Sequence, residues 1–191
     1  TGVGRTGTMY AFERDGVAPD LLTLSKTLGA GLPVAAVMTS SEIEQICYER
    51  GFLFFTTHVS DPLAASVALT VLHVVARDGL VQRAHDLGTQ LRERLRCLVD
   101  DCAVVADARG RGLLQGIELR APDGDSTSAD DLGRAVTAEC LERGLHVNLL
   151  QLPGAGHVMR IAPPLTIDAA DLHKGLNILG EALHEVAART A

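Results

Sequence analysis

The chain has 191 residues, a formal net charge of −7 and a pI of about 5.4, so its charge disfavours a nucleic acid or an anionic membrane as a partner. Aromatic residues make up only 3% of the chain and tryptophan is absent, which leaves few side chains on which bases could stack. No apolar run is long enough to span a bilayer. The hydrophobic content of 47% is sufficient for one large domain or two small ones.

The four cysteines form no C-x-x-C pair, and no cluster of His, Cys and Asp in the sequence has the spacing of a zinc site. Unpaired cysteines are typical of a reducing compartment, so we expect a cytoplasmic protein with free thiols. The chain starts with Thr1 inside a glycine-rich motif. We therefore expect it to be a fragment of a longer protein.

Short apolar runs and helical patterns alternate in the first part of the chain. Leu21–Leu24 and Val34–Thr39 each predict a buried strand. Ser40 is a predicted N-cap, Pro62 suits the first turn of a helix, and the apolar run over 64–77 continues that helix. This order is typical of an α/β domain.

After Gly79, helices alternate with pairs of short strands. The predicted elements are a helix over 80–99, strands over 104–108 and 113–119, a helix over 129–143, strands over 146–150 and 158–161, and a helix from Asp168 through Ala188. Arg109-Gly-Arg-Gly112 predicts a hairpin turn, and Ala121–Asp130 predicts a mobile loop. We therefore expect two domains, an α/β domain over 1–78 and a small α+β domain over 79–191.

Lys26 stands directly after the first predicted strand and is followed by Gly29, Gly31 and Pro33. If the strand end is buried, the charged form of the lysine is disfavoured, and a neutral amine is the nucleophile that attacks a carbonyl. The glycines let the backbone approach a ligand, and the proline fixes the exit of the loop. Taken alone, the motif fits equally well a lysine that reaches from a strand end into water.

The segment Gly2-Val-Gly4-Arg-Thr-Gly7 matches G-x-G-x-x-G. A dinucleotide site needs a strand before this motif and a helix after it. No strand precedes it in this chain, and Met9–Arg14 allows only about one helical turn. The pattern favours a tight loop at a strand end, with a dinucleotide site as the weaker alternative.

In this order, the motifs of the chain resemble those of the class III aminotransferases, which depend on pyridoxal phosphate (PLP). The resembling segments are 1–7, 18–33, 55–62, 108–114, 151–154 and 160–166. The resemblance covers nearly the whole chain and implies the C-terminal part of a fold-type I enzyme, namely the end of the PLP-binding large domain followed by a small α+β domain. Within the family, the chain is most similar to the 2,2-dialkylglycine decarboxylases, on segments that include 148–154.

The resemblance also implies roles for three residues. Lys26 would carry PLP covalently and later move protons, Thr57 would bind the cofactor phosphate of the neighbouring subunit, and Arg160 would bind the substrate carboxylate. Without the resemblance, Thr57 is better explained by a bond to its own backbone, and Arg160 by a structural salt bridge. We interpret Arg109 and Arg111 as structural, because the glycines around them explain a turn.

Asp61 stands where other members of the family have an asparagine. The resemblance implies an alkali-metal site, for potassium or sodium, with the Thr57 and Val59 carbonyls and the Asp61 carboxylate as ligands. Carboxylate and carbonyl oxygens are suitable ligands for a hard cation. An N-cap for the helix that starts at Pro62 is a compatible alternative.

The implied function is a decarboxylation coupled to transamination, in which a 2,2-dialkylglycine and pyruvate give a ketone, CO2 and alanine. One alternative is an ordinary class III transaminase that acts on an amine or an ω-amino acid. The alternative from another class is a non-catalytic interaction module with the PLP fold. We expect an amino acid and a keto acid as the small-molecule partners, a homodimer or homotetramer, and no activity from this chain alone.

Overall fold

The computed structural model describes residues 1–52, 54–121, 128–150 and 157–189. The strands are β1 (Leu21–Leu24), β2 (Ala36–Thr39), β3 (Val105–Arg111), β4 (Leu114–Leu119), β5 (Asn148–Leu149) and β6 (Val158–Ile161). The helices are α1 (Ser41–Glu49), α2 (Pro62–Arg77), α3 (Leu80–Asp101), α4 (Ala129–Glu142) and α5 (Ala169–Arg189), with 3₁₀ turns at Ala11–Asp15 and Lys26–Gly29. Most of the predicted mobile loop, and the motif over 151–154, lie outside the described residues.

Strands β1 and β2 form an antiparallel two-stranded sheet, with Leu21 opposite Thr39 and Leu24 opposite Ala36. The prediction that both strands are buried is wrong, because Leu21 is 58% and Val37 68% exposed. A continuous apolar run predicts a strand that is covered on both faces, but the described part of this sheet has only two strands. Much of its surface therefore faces solvent.

Side-chain caps fix the starts of two helices, as predicted. The Ser40 hydroxyl accepts a hydrogen bond from the Ile43 N–H (3.3 Å), and the Asp61 carboxylate accepts one from the Leu63 N–H (3.0 Å). Each bond satisfies a backbone donor that has no partner inside its helix. Pro62 occupies the first turn of α2, where its missing N–H costs nothing.

Helix α3 ends at Asp101, two residues beyond its predicted end. One stripe of this helix is buried, at spacings of three or four residues: Leu80, Ala84, Leu87, Gly88, Leu91 and Leu95. No single described helix is long and apolar enough to cross a membrane; α2 and α3 meet that test only when counted together, and they are bent by 60°. The buried stripe shows that α3 is a core helix.

The second sheet is antiparallel, with the strand order β3-β4-β6-β5. Helices α3 and α4 pack against the sheet, and α5 packs against both helices. Ile117 and Met159, opposite one another on β4 and β6, are fully buried on the helical side. Val3 and Val75 belong to the same hydrophobic core. The domain boundary at residue 78 stays a prediction.

The predicted hairpin turn at Arg109-Gly-Arg-Gly112 is wrong, because β3 continues through Arg111. The reversal takes place at Gly112 and Leu113, since Arg111 pairs with Leu114. Gly110 serves a different purpose: a Cβ atom there would lie 2.2 Å from the Leu114 carbonyl oxygen. A glycine inside a strand can mark such a close backbone approach rather than a turn.

The glycine-rich loop over 2–7 packs against α3 and the β3–β4 turn. A Cβ atom on Gly7 would lie 2.9 Å from the Cα atom of His85, and one on Gly112 would lie 2.4 Å from the Thr6 carbonyl carbon. Only a five-residue 3₁₀ turn follows the loop, so the helix that a dinucleotide site needs is missing. These glycines permit close packing between the loop and α3.

We predict that Gly88→Ala destabilises the protein by about 1–3 kcal/mol, because a Cβ atom at this position of α3 would lie 2.4 Å from the Gly112 Cα atom. At an unhindered helical site the same change is favourable by about 1 kcal/mol. Gly180→Ala in α5 is the matched control, since its Cβ atom would make an ordinary 3.5 Å contact. Urea denaturation measures both; equal stability of Gly88→Ala and wild type would contradict the packing.

Candidate active site

Lys26 lies at the end of β1 and begins the 3₁₀ turn Lys26–Gly29. Its φ of 54° is in the left-handed region, which residues other than glycine seldom adopt and which is frequent at ligand sites. The predicted burial is wrong: Lys26 is exposed, because the two-stranded sheet beside it leaves it uncovered. Within the described residues its amine has no hydrogen bond or ion pair, so the amine is available to a ligand.

Backbone hydrogen bonds hold the lysine turn in place. The Leu28 N–H donates to the Ser25 carbonyl (3.2 Å), and the Leu32 N–H donates to the Gly29 carbonyl (2.9 Å). The side chain of Leu28 is buried, and the turn packs against α2. Lys26 is therefore an exposed side chain on an anchored backbone.

Thr57 lies on the loop before α2. The neighbouring Thr56 hydroxyl accepts a bond from the His58 N–H (3.3 Å), whereas Thr57 is exposed and its hydroxyl has no partner among the described residues. The local bond that would explain a loop threonine therefore belongs to Thr56. The Thr57 hydroxyl is free to bind a ligand.

A cavity of about 430 Å³ joins the lysine turn to this loop. Leu24 and Leu28, on either side of Lys26, line one part of it, and His58 and Asp61 line another. The structure thus brings the Lys26 and Asp61 segments to one cavity. Arg160 lies elsewhere, on the second sheet.

The predicted metal ligands have distinct surroundings. The Thr56 and His58 carbonyls accept bonds from the Val59 and Asp61 N–H groups, whereas the Thr57 and Val59 carbonyls accept none from described residues. One Asp61 carboxylate oxygen caps α2 (3.0 Å), and the other lies 3.7 Å from the His58 Nδ1 atom. No described cluster of three or more His, Cys, Asp or Glu residues could hold a metal.

Arg160 lies on the exposed face of the second sheet. Its neighbour on β4 is Gly116, whose neighbour on β3 is Arg109, so no side chain separates the two arginines. Arg160 lines a cavity of about 350 Å³ on this face and another of about 310 Å³ beside the start of α5. It forms no ion pair within the described residues, which removes the structural salt bridge as its explanation in this part of the chain.

The other two arginines on this face are paired. Arg109 binds Asp107 and Glu118, both at 2.7 Å, and Arg111 binds Asp15 at 3.0 Å. The hydrogen bonds to Asp107 and then Glu118 raise the pKa of Arg109, and the bond to Asp15 raises the pKa of Arg111. Arg160 is thus the arginine of this set that can bind an external carboxylate.

Sequence reasoning did not single out Arg5, which is half-buried in the glycine-rich loop. Its guanidinium donates to the Pro163 carbonyl, three residues beyond Arg160, and burial lowers its pKa. Its own carbonyl accepts the Leu113 N–H (2.9 Å). The position of Arg5 in a loop between two glycines is the sequence pattern that could have indicated this contact between the loop and the second sheet.

Comparison with known proteins gives a consistent assignment. The sequence model of the class III aminotransferases matches residues 1–183. An uncharacterized aminotransferase of Schizosaccharomyces pombe is 51% identical over 96% of this chain and 41% of its own length, and a 4-aminobutyrate aminotransferase of Escherichia coli is 36% identical over 97% and 42%. The solved structure of an Arthrobacter phospholyase superposes with a TM-score of 0.88 at 30% identity, over 96% of this chain and 43% of that one.

The chain thus spans less than half the length of these relatives. The predicted fold class, α/β of the fold-type I PLP enzymes, is confirmed by the structural neighbours. The family resemblance drawn from the motifs is confirmed by the match over 1–183. This chain belongs to the class III aminotransferase family.

Proposed function

We propose that the protein to which this chain belongs is a PLP-dependent transaminase that moves an amino group between an amino acid or amine and a keto acid. The observation that carries the proposal is Lys26, an exposed amine without a described partner on an anchored, left-handed turn. The chain's membership of the class III aminotransferase family and the aminotransferases among its relatives support the same reaction.

The described residues fit PLP as the cofactor. Lys26 offers an amine for the aldehyde, and Thr57 offers an unbonded hydroxyl for the phosphate. PLP, when bound, supplies an electron sink for the bond that breaks at the substrate α-carbon. The chain itself has to supply attachment, orientation and proton transfer.

Each candidate residue then has a distinct task. The Lys26 amine would hold the cofactor covalently, and as a free amine it would take the proton from the substrate α-carbon. Arg160 binds the substrate carboxylate through two parallel N–H donors and so fixes the direction of the α-carbon bonds. Thr57 donates its hydroxyl to the cofactor phosphate of a neighbouring subunit.

If Thr57 binds the cofactor phosphate of a neighbouring subunit, the protein has to be a dimer or a larger homo-oligomer. Three phenylalanines directly before it are 70% to 80% exposed in the described chain: Phe52, Phe54 and Phe55. An exposed group of large apolar side chains is typical of a contact surface. The exposed phenylalanines support the placement of Thr57 at a subunit interface.

A decarboxylase for 2,2-dialkylglycines is the second candidate. Asp61 and the free carbonyls of Thr57 and Val59 favour it, because together they offer oxygen ligands to a potassium or sodium ion. The Schizosaccharomyces pombe and Escherichia coli relatives are aminotransferases, so we place ordinary transamination first. A non-catalytic module has less support, because Lys26 and Arg160 are both present and unpaired in the described chain.

We predict that borohydride reduction of the PLP-loaded protein fixes the cofactor on Lys26. The chain has only one other lysine, Lys174, which is exposed on α5 and serves as the matched control. Peptide mass spectrometry should find the pyridoxyl group in wild type and Lys174→Ala, and lose it in Lys26→Ala. A pyridoxyl group that persists in Lys26→Ala would exclude this lysine as the anchor.

We predict that Arg160→Gln raises KM for a carboxylate substrate by about 10- to 100-fold, because about 1.5–3 kcal/mol of charge-assisted hydrogen bonding is lost. KM for a substrate amine without a carboxylate should stay the same, and steady-state kinetics measure both. Arg109→Gln is the control, since Arg109 already binds Asp107 and Glu118. Equal effects on both kinds of substrate would show that Arg160 is only structural.

The substrate 2-aminoisobutyrate distinguishes the two candidate reactions, because it has no α-hydrogen and cannot be transaminated by loss of an α-proton. With pyruvate as acceptor, we expect alanine to form from an amine or ω-amino acid donor, and no CO2 to be released from 2-aminoisobutyrate. If acetone and CO2 are formed, the decarboxylase candidate replaces the transaminase. In that case Asp61→Asn, which keeps an N-capping oxygen, should reduce CO2 release more than transamination, and the rate should differ between potassium and sodium.

A further inference from the structure

A pocket of about 230 Å³ lies between the first 3₁₀ turn, α3 and the β3–β4 turn. Its basic and polar lining includes Arg14, His85, Thr89, Arg92 and Arg96. Four of these residues belong to α3 at spacings of three or four, so they form one stripe along the helix. We name this set the arginine pocket; it is separate from Lys26, Thr57 and Arg160.

The arginines of this pocket lack acidic partners. Arg14, Arg92 and Arg96 form no ion pair with any described carboxylate, unlike Arg111 nearby, which binds Asp15. The Arg92 guanidinium donates to the Gly110 carbonyl, which fixes one of its nitrogens. The chain as a whole carries a net charge of −7, so a general excess of positive charge does not account for the pocket.

The acidic side chains near the pocket form no described ion pair with its arginines. Glu93 also lines the pocket but forms no described ion pair, and Asp86 lies against His85 at 3.1 Å. Burial, and then the charges of Arg96, Arg14 and Arg111, lower the pKa of Arg92. The guanidinium groups are thus close enough to repel one another, and a bound anion would relieve that repulsion.

We propose that the arginine pocket binds the phosphate group of a small anion, either inorganic phosphate or a phosphomonoester. Guanidinium groups donate in a planar fork that matches phosphate oxygens. Three of them around a small concavity suit a tetrahedral, doubly charged group better than a single flat carboxylate. The enclosure of the pocket by three chain segments favours a small molecule over an extended acidic peptide.

Occupation of the pocket would link parts of the chain that are distant in sequence. Arg14 belongs to the segment that leads into β1 and Lys26, and Arg92 and Arg96 belong to the helix that packs under the second sheet. An anion bound between them stabilises their relative position, by the general linkage between ligand binding and folding. This inference does not depend on the proposed transaminase activity.

The test is isothermal titration of the PLP-loaded protein with inorganic phosphate and with glycerol phosphate, at constant ionic strength in chloride. We expect saturable binding, weakened about tenfold or more in Arg96→Gln and in Arg14→Gln, because each variant removes a charge-assisted bond. Arg50→Gln is the matched control: Arg50 is exposed after α1 and has no described acidic partner. It should bind phosphate like wild type.

Thermal melts without phosphate check that the Arg14, Arg50 and Arg96 variants fold; each of these side chains is exposed. Tighter binding of glycerol phosphate than of phosphate identifies an ester as the ligand, and equal binding identifies phosphate itself. Absence of saturable binding in wild type overturns the inference, as does an equal loss in Arg50→Gln and Arg96→Gln. If the protein fails to bind PLP, the same titration without cofactor still tests the pocket, since its arginines are separate from Lys26.

Discussion

Backbone segments pack directly against one another where the glycine-rich loop, α3 and the β3–β4 turn meet. A Cβ atom on Gly88 would lie 2.4 Å from the Gly112 Cα atom, and one on Gly112 would lie 2.4 Å from the Thr6 carbonyl carbon. No side chain fits at such distances, so the backbones themselves are in contact. Because the loop leads into β1, this contact positions the Lys26 segment relative to the sheet that carries Arg160.

The basic side chains near the candidate site fall into two groups, those that are paired with a carboxylate and those that are not. Arg109 and Arg111 have carboxylate partners that hold them on the sheet, whereas Lys26 and Arg160 have none among the described residues. An exposed ion pair contributes little to stability, so its main effect here is to occupy the arginines that surround Arg160. The unpaired groups are those that the proposed chemistry uses, one to hold a cofactor and one to bind a carboxylate.

Local patterns predicted much of the fold, and long-range contacts explain the failures. Caps such as Ser40 and Asp61 act within a few residues, so the starts of α1 and α2 could be predicted. The exposure of β1 and Lys26 could not be predicted, because it depends on how many strands complete the sheet. The turn at Arg109–Gly112 was misplaced because Gly110 permits a close backbone contact rather than a reversal. The family motifs pointed to Lys26, Thr57 and Arg160, but only the register of β3, β4 and β6 shows which arginines are paired.

The central claim is that Lys26 holds the cofactor while Arg160 binds the substrate carboxylate. A crystal structure of the protein with PLP and an unreactive amino-acid analogue tests both parts at once. The account predicts continuous electron density between the Lys26 side chain and the cofactor before the analogue is added, and the analogue's carboxylate against the Arg160 guanidinium afterwards. A cofactor held without a bond to Lys26, or an Arg160 paired with a side chain while the carboxylate binds elsewhere, would contradict it.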